Sequence, residues 1–260
     1  VPVLKGLWNP FHERRLVEPF VGGLAVALGL RPRRALLNDV NPHLINFYSW
    51  LQRGLTVSET LLNDRDAYYR ARKRFNELIL AGKADSEEAA VWFYYLNRTG
   101  FNGLCRFNRS GEYNVPFGSY KTVNYVTDFG QYKDSLENWV FSCGDFSEVR
   151  VEAGDFVYAD PPYDSAFASY SSGGFGWNEQ VRLAEWLAQL DGPVVASNHA
   201  TVRIIELYSS LGFELRAIVA PRRISSNGDR TPAQELIALK GLGEAGRVLE
   251  DLPRAIVNKL

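Results

Sequence analysis

Asp155-Phe156-Val157-Tyr158-Ala159 is an apolar run of strand length, and it ends on Asp160-Pro161-Pro162-Tyr163. A short apolar run bounded by prolines reads as a buried strand with a loop at its carboxyl tip. Such a strand presents an acid, two prolines and an aromatic ring together. The carboxylate and a backbone carbonyl can accept both hydrogens of a planar amine, while the ring stacks on its flat face. Pro161 and Pro162 fix φ and carry no N–H, so the loop is stiff and its carbonyls remain acceptors. An ordinary strand-to-loop turn uses the same residue types; the flanking sequence decides between the two.

On either side, strand and helix patterns alternate. Upstream, Val140-Phe141-Ser142-Cys143 reads as a strand and Gly144-Asp145-Phe146 as the turn after it, with Asp145 placed to cap the next helix. Downstream, Glu179 to Leu190 has helical periodicity, Val194 to Ser197 reads as a strand, Thr201 to Leu211 as a helix, and Phe213–Val219 with Glu235–Lys240 as a hairpin. Near the start, Arg15 to Phe20 is a short apolar run before Val21-Gly22-Gly23, and Ala35 to Asp39 is a second buried strand ending on an acid. Pro42 suits the first turn of the helix running towards Gly54. The sum is an α/β protein with a doubly wound, Rossmann-like sheet whose last strands turn antiparallel.

Residues 56–135 interrupt this alternation. Helical stretches at about 58–81 and 85–98 carry Tyr68, Tyr69 and the Trp92–Tyr95 aromatics, read as subdomain core; Asn102 to Tyr120 then reads as a polar hairpin turning at Arg109-Ser-Gly-Glu112. The predicted organisation is a discontinuous domain, 1–55 with 136–242, an inserted and mostly helical subdomain at 56–135, and a tail at 243–260.

With 46% hydrophobic and 13% aromatic residues, the 260-residue chain has the composition of a packed globular protein. No apolar stretch is long enough to cross a bilayer, and a cytoplasmic monomer is expected. Two cysteines and three scattered histidines offer no disulfide framework or metal cluster. The net charge of −1 does not announce a nucleic-acid binder, but its distribution does more. Residues 98–121 hold four cations against Glu112, and 216–230 hold four against Asp229, each a local surplus of three. Two such patches flanking one candidate site suit a polyanionic partner. The sequence contains no methionine, so residues are expected to be missing from its start.

In an open parallel sheet, ligands bind outside the carboxyl ends of the strands. Three elements fall on such ends: Glu18-Pro-Phe-Val-Gly-Gly23, Asn38-Asp39-Val40 and Asp160 to Tyr163. The glycine segment lacks GxGxxG spacing, which weakens a nicotinamide or flavin reading.

With Asn102-Gly-Leu-Cys-Arg-Phe-Asn108, Asn114-Val-Pro-Phe-Gly118, Gly144-Asp-Phe146 and Ser197-Asn-His199, these elements resemble the Dam-type DNA adenine-N6 methyltransferases over residues 15–240. The acidic-Pro-Pro-aromatic tetrapeptide also occurs in RNA and protein amino-methylases; the 102–118 segment is the restrictive part. The resemblance implies S-adenosylmethionine as cofactor and double-stranded DNA as substrate, without metal. It implies that Phe20 and Gly22 line the methionine end, that Glu18 is among the cofactor-binding residues, that Asp39 binds the ribose, and that Val40 and Phe146 sandwich the adenine. Asp160 would lie between cofactor and target base, with the Pro161 carbonyl and Tyr163 completing the catalytic group. Phe101 would wedge into the base stack, Asn102 would meet the orphaned thymine, and Leu104, Arg106 and Pro116 would read a GATC-like site. Arg222 and Arg223 are expected on phosphates. Phe101 stands where relatives often carry Tyr, and the family's aromatic-x-Gly-Gly-Lys element, expected just before residue 1, is absent. An RNA or other amino-group methyltransferase, and a catalytically silent DNA-binding relative, are the alternative functions.

Overall fold

The computed structural model describes residues 2–164, 175–220 and 233–249. Along the chain run α1 (Pro2–Trp8), β1 (Leu16–Glu18), α2 (Ala25–Leu30), β2 (Ala35–Asp39), α3 (Pro42–Gln52), α4 (Arg65–Leu80), α5 (Glu87–Thr99), α6 (Gly130–Leu136), β3 (Trp139–Cys143), β4 (Phe156–Ala159), α7 (Trp177–Ala188), β5 (Val194–His199), α8 (Val202–Ser210), β6 (Glu214–Ala220) and β7 (Ala233–Lys240). No helix among the described residues is long and apolar enough to cross a membrane.

The chain divides into two units, residues 1–40 with 144–260, and residues 41–143. The divisions fall at 40/41 and 143/144 rather than at 55/56 and 135/136, because α3 packs with the insertion. Phe47 of α3 stacks on Tyr94 at 5.5 Å and meets Phe129 edge-on at 5.9 Å.

In the first unit, six strands stand in the order β2-β1-β4-β5-β7-β6. β1 pairs parallel with β2 and β4, β4 with β5, and β7 runs antiparallel to both β5 and β6. The parallel strands are buried along their length, as strands covered on both faces must be. Alternation decides which side chain meets which layer. Val157 joins Leu183 and Leu187 of α7 and Ile204 and Tyr208 of α8 in one core, whereas its neighbour Phe156 meets Trp8 of α1 edge-on at 5.2 Å. At the amino ends of β1 and β4, Arg15 donates two hydrogen bonds to buried Asp155, at 3.0 and 2.6 Å. Strand order reverses between β1 and β4, which places a ligand crevice at their carboxyl ends.

The second unit is built on α3, α4 and α5. Asp64 caps α4 by accepting from Ala67 N, which is why the helix starts at 65 and not near 58. Phe93, Tyr94 and Tyr95 are buried, as read from sequence, and Phe93 and Tyr95 share a core with Tyr68, Phe75 and Tyr113. The expected hairpin at 102–120 appears as two isolated antiparallel bridges, Gly100 with Phe117 and Phe107 with Tyr113. Its turn closes on Asn108, whose side chain accepts from Ser110 N and Glu112 N, both at 2.9 Å. A continuous ladder does not form because much of the backbone bonds to side chains of α4 instead: Asn76 pairs with both the N–H and the carbonyl of Tyr113, and Tyr68 and Arg72 both donate to the Val115 carbonyl.

Candidate active site

A cleft of about 830 Å³ opens at the carboxyl ends of β1, β2 and β4, where the switch in strand order puts it. Its lining gathers Phe20, Gly22, Asp39, Val40, Phe146, Asp160, Pro161 and Tyr163, every one a residue singled out in the sequence. Glu18 lies beneath, at 2% exposure, rather than in the wall.

The turn after β1 is shaped by Gly22, whose φ of +47° suits glycine and whose N–H donates to the Asp39 carboxylate at 3.1 Å. Buried Asn38 holds two loops with one amide, donating to the carbonyls of Pro19 at 3.1 Å and Gly144 at 2.9 Å. Val40 is 76% exposed, an apolar side chain left for a flat guest to cover. Phe146 is buried and supported by Phe20 at 5.5 Å, while the Arg182 guanidinium sits 4.2 Å over its ring. Arg182 also grips Asp145 with two bonds of 2.7 Å, and this pairing holds the carboxyl well below its usual range. Asp145 in turn accepts from Ser147 N at 2.9 Å and caps the short turn containing Phe146, as its sequence position suggests.

The Asp160 loop is anchored residue by residue. Ser197 Oγ on β5 donates to Asp160 Oδ1 at 2.6 Å. Gln180, wholly buried on α7, donates to the Pro162 carbonyl at 2.8 Å and accepts from Asn198 at 2.9 Å. Asn198 Oδ1 accepts from Asp164 N at 3.0 Å, and the buried Asp164 carboxylate takes Arg203 and Thr201 at the start of α8. Tyr163 meets His199 edge-on at 5.0 Å. Among the described residues, none donates to the Pro161 carbonyl, so the loop is fixed through its neighbours while that acceptor stays available.

The floor pairs the exposed Asp160 with a buried acid, Glu18. Burial, and then the charge of Asp160, push the Glu18 carboxyl up to about 8, and its Oε1 is buried without a hydrogen-bond partner. Burial and Asp160 likewise raise the Tyr163 phenol above its ordinary range, so Tyr163 acts as a neutral ring. The exposed Asp160 carboxylate in such a cleft suits a cationic group and an amine that gains positive charge as it reacts.

The second unit holds the other singled-out residues. Phe101 is 45% and Leu104 40% exposed; Arg106 and Pro116 are exposed as well. Asn102 adopts φ +53°, an uncommon left-handed conformation for a residue other than glycine. Arg106 bonds to Asn114 across the bridge, at 2.8 Å to the side chain and 3.2 Å to the carbonyl. The two arms meet tightly, since a Cβ on Gly118 would lie 2.8 Å from the Thr99 carbonyl and 2.9 Å from that of Gly100. Arg222 and Arg223 lie outside the described residues.

Sequence reading left Gln180, Arg182, Asp164 and Arg203 unassigned, and gave Ser197 and Asn198 no role beyond their place in the Ser-Asn-His motif of the resemblance. Gln180 carried one weak signal, a polar residue placed where helical periodicity calls for the buried face.

Residues 3–224 match the family model described as D12 class N6 adenine-specific DNA methyltransferase. The chain is 36% identical to the retron Ec67 DNA adenine methylase of Escherichia coli over 242 residues, covering 87% of this chain and 83% of that protein. It is 37% identical to the DNA adenine methylase of Escherichia coli (strain K12), over 86% of this chain and 85% of that one, and 37% identical to that of Vibrio cholerae, over 88% and 87%.

Proposed function

Because this chain belongs to the D12 class of N6 adenine-specific DNA methyltransferases, we propose that the cleft at β1, β2 and β4 holds both the methyl donor and a target adenine extruded from duplex DNA. The carrying observation is the anchoring of the Asp160 loop, which leaves one carboxylate and one carbonyl available at the lip of a cleft wide enough for a nucleoside.

The cofactor of this family, S-adenosylmethionine, supplies a methyl group activated on a positively charged sulfur. The residues fit such a group. Asp39 offers a carboxylate at the position for a ribose diol, Val40 and Phe146 offer apolar surface to an adenine, and Asp160 places a carboxylate where a cation would sit. Phe20 and the backbone at Gly22 line the remaining wall.

The target amine is a weak nucleophile, because its lone pair is delocalised into the purine ring. The base must also be rotated out of the stack, at a cost of a few kcal/mol. In our reading the Asp160 carboxylate and the Pro161 carbonyl accept the two amino hydrogens, favouring a pyramidal nitrogen with its lone pair directed out of the ring plane. Tyr163 stacks on the extruded base. Asp160 then stabilises the positive charge developing on nitrogen, and positioning supplies much of the acceleration.

Specificity is assigned to the 101–118 segment. Phe101 wedges into the stack, Asn102 meets the orphaned partner base, and Leu104, Arg106 and Pro116 read the flanking bases. A guanidinium matches O6 and N7 of guanine with two bonds, so Arg106 reads a guanine and the site is GATC-like. To do so it exchanges its contacts with Asn114 for the base. Incubating the protein with S-adenosylmethionine and random-sequence duplex DNA, then mapping methylated adenines, tests this. Methylation confined to GATC-like sites supports the reading; N6-methyladenine without a flanking guanine preference removes it.

A further inference from the structure

His43 lies in the first turn of α3 and is 8% exposed. Its ring stacks on Phe107 with centroids 4.7 Å apart and planes 20° apart, and it meets Phe75 edge-on at 5.2 Å and Phe93 at 6.3 Å. Its Nδ1 is buried with no hydrogen-bond partner. An unsatisfied buried nitrogen is destabilising, so the residue is placed here for something other than polar bonding. Burial holds the imidazole below its ordinary range, which keeps it neutral and able to stack as an aromatic.

What it stacks on gives the reason. Phe107 directly follows Arg106 in the sequence, and its ring is also met edge-on by Tyr113 at 5.5 Å across the bridge. The far arm of the segment is gripped by α4, through Asn76 on Tyr113 and through Tyr68 and Arg72 on Val115. The near arm, which carries Arg106, meets α3 through the His43–Phe107 stack. Without that ring the seat of Phe107 loses one wall, and the backbone projecting Arg106 gains freedom that costs entropy to remove at each binding event.

We infer that His43 is a positioning residue for base discrimination, acting through the Phe107 ring on the backbone from which Arg106 projects. The inference rests on the reading of Arg106 as the guanine reader. To test it, kcat and KM are measured for the wild type, H43A, H43F and R106A on duplexes carrying the preferred site and on the same site with the guanine pair changed.

The expected result is that H43A lowers the ratio of kcat/KM between the two sites about tenfold while kcat on the preferred site stays within about threefold. H43F, which restores a ring without the orphaned nitrogen, recovers the wild-type ratio. Thermal unfolding is followed for each variant; should H43A not fold, H43Q, flexible and non-aromatic, replaces it with the same expectation. An unchanged ratio in H43A, or an H43F variant as indiscriminate as H43A, overturns the inference provided R106A does lose discrimination. If R106A keeps the wild-type ratio, the assignment of Arg106 has failed, and the role of His43 falls with it.

Discussion

The loop at 160–164 and the segment at 101–118 are both irregular backbone, and they are held in opposite ways. In the first, buried side chains from β5 and α7 reach the loop and fix the working carboxylate itself, Ser197 bonding directly to Asp160. In the second, helix side chains grip backbone groups, while Phe101, Leu104, Arg106 and Pro116 remain exposed. Under the proposed function, the difference reflects the task of each. A group that must meet a reacting nitrogen needs its own atoms fixed before the substrate arrives, because reorganisation during the reaction is costly. Side chains that must read a long, deformable partner need only a firm base, and their final geometry can come from the partner.

The sharpest way to break this contrast is at Asp160. Asp160→Ala should lower the methylation rate by about 10²–10³-fold or more while duplex binding survives, because the recognition segment is anchored by its own unit. Single-turnover methylation beside a binding titration reads both; comparable turnover by the variant would take Asp160 out of the mechanism. Gln180→Leu comes next. Removing this buried amide leaves the Pro162 carbonyl and Asn198 without their partner, and should cost about 1–3 kcal/mol of stability together with a fall in kcat. A denaturant titration showing no loss would mean that the Gln180 bonds contribute nothing to holding the loop.

Arg106→Ala should cost about 1–3 kcal/mol in discrimination at one guanine, with little change in stability, since it is exposed. Equal loss on every sequence would instead make Arg106 a phosphate contact. The smallest effect concerns Glu18. Its carboxyl is raised from 4.5 to about 8 in the folded protein, so the native state holds a proton that the unfolded chain releases. The stabilisation from this group is complete below about 4.5, declines as pH rises from there, and is exhausted above about 8. Glu18→Gln should therefore flatten the stability–pH curve across that window. A wild-type curve with no decline there, once other groups are matched, would show that Glu18 is already ionised.

Much of this was legible in the sequence because the chemistry sits at strand ends. The tips of β1, β2 and β4 announce themselves as apolar runs ending in Glu18, Asp39 and Asp160, and a parallel sheet brings such tips together. The supporting layer was not legible. Gln180, Ser197, Asn198 and Arg203 lie 18 to 39 residues from the groups they bond, on elements whose own periodicity is ordinary. Nor does local pattern reveal that α3 packs with the insertion, since Phe47 reads only as an apolar helix residue until its partners Tyr94 and Phe129 are known.

β1 and β4 are hydrogen-bonded neighbours, yet the whole of residues 41–143 is synthesised between them. Closing so long a connection is slow to nucleate, although its entropic cost grows only logarithmically with length. A nascent chain still on the ribosome therefore exposes all of residues 41–143 before β4 can complete the cleft. Under the proposed function, any stalled fragment ending before Asp160 carries the segment assigned to reading bases but no carboxylate to meet the target amine.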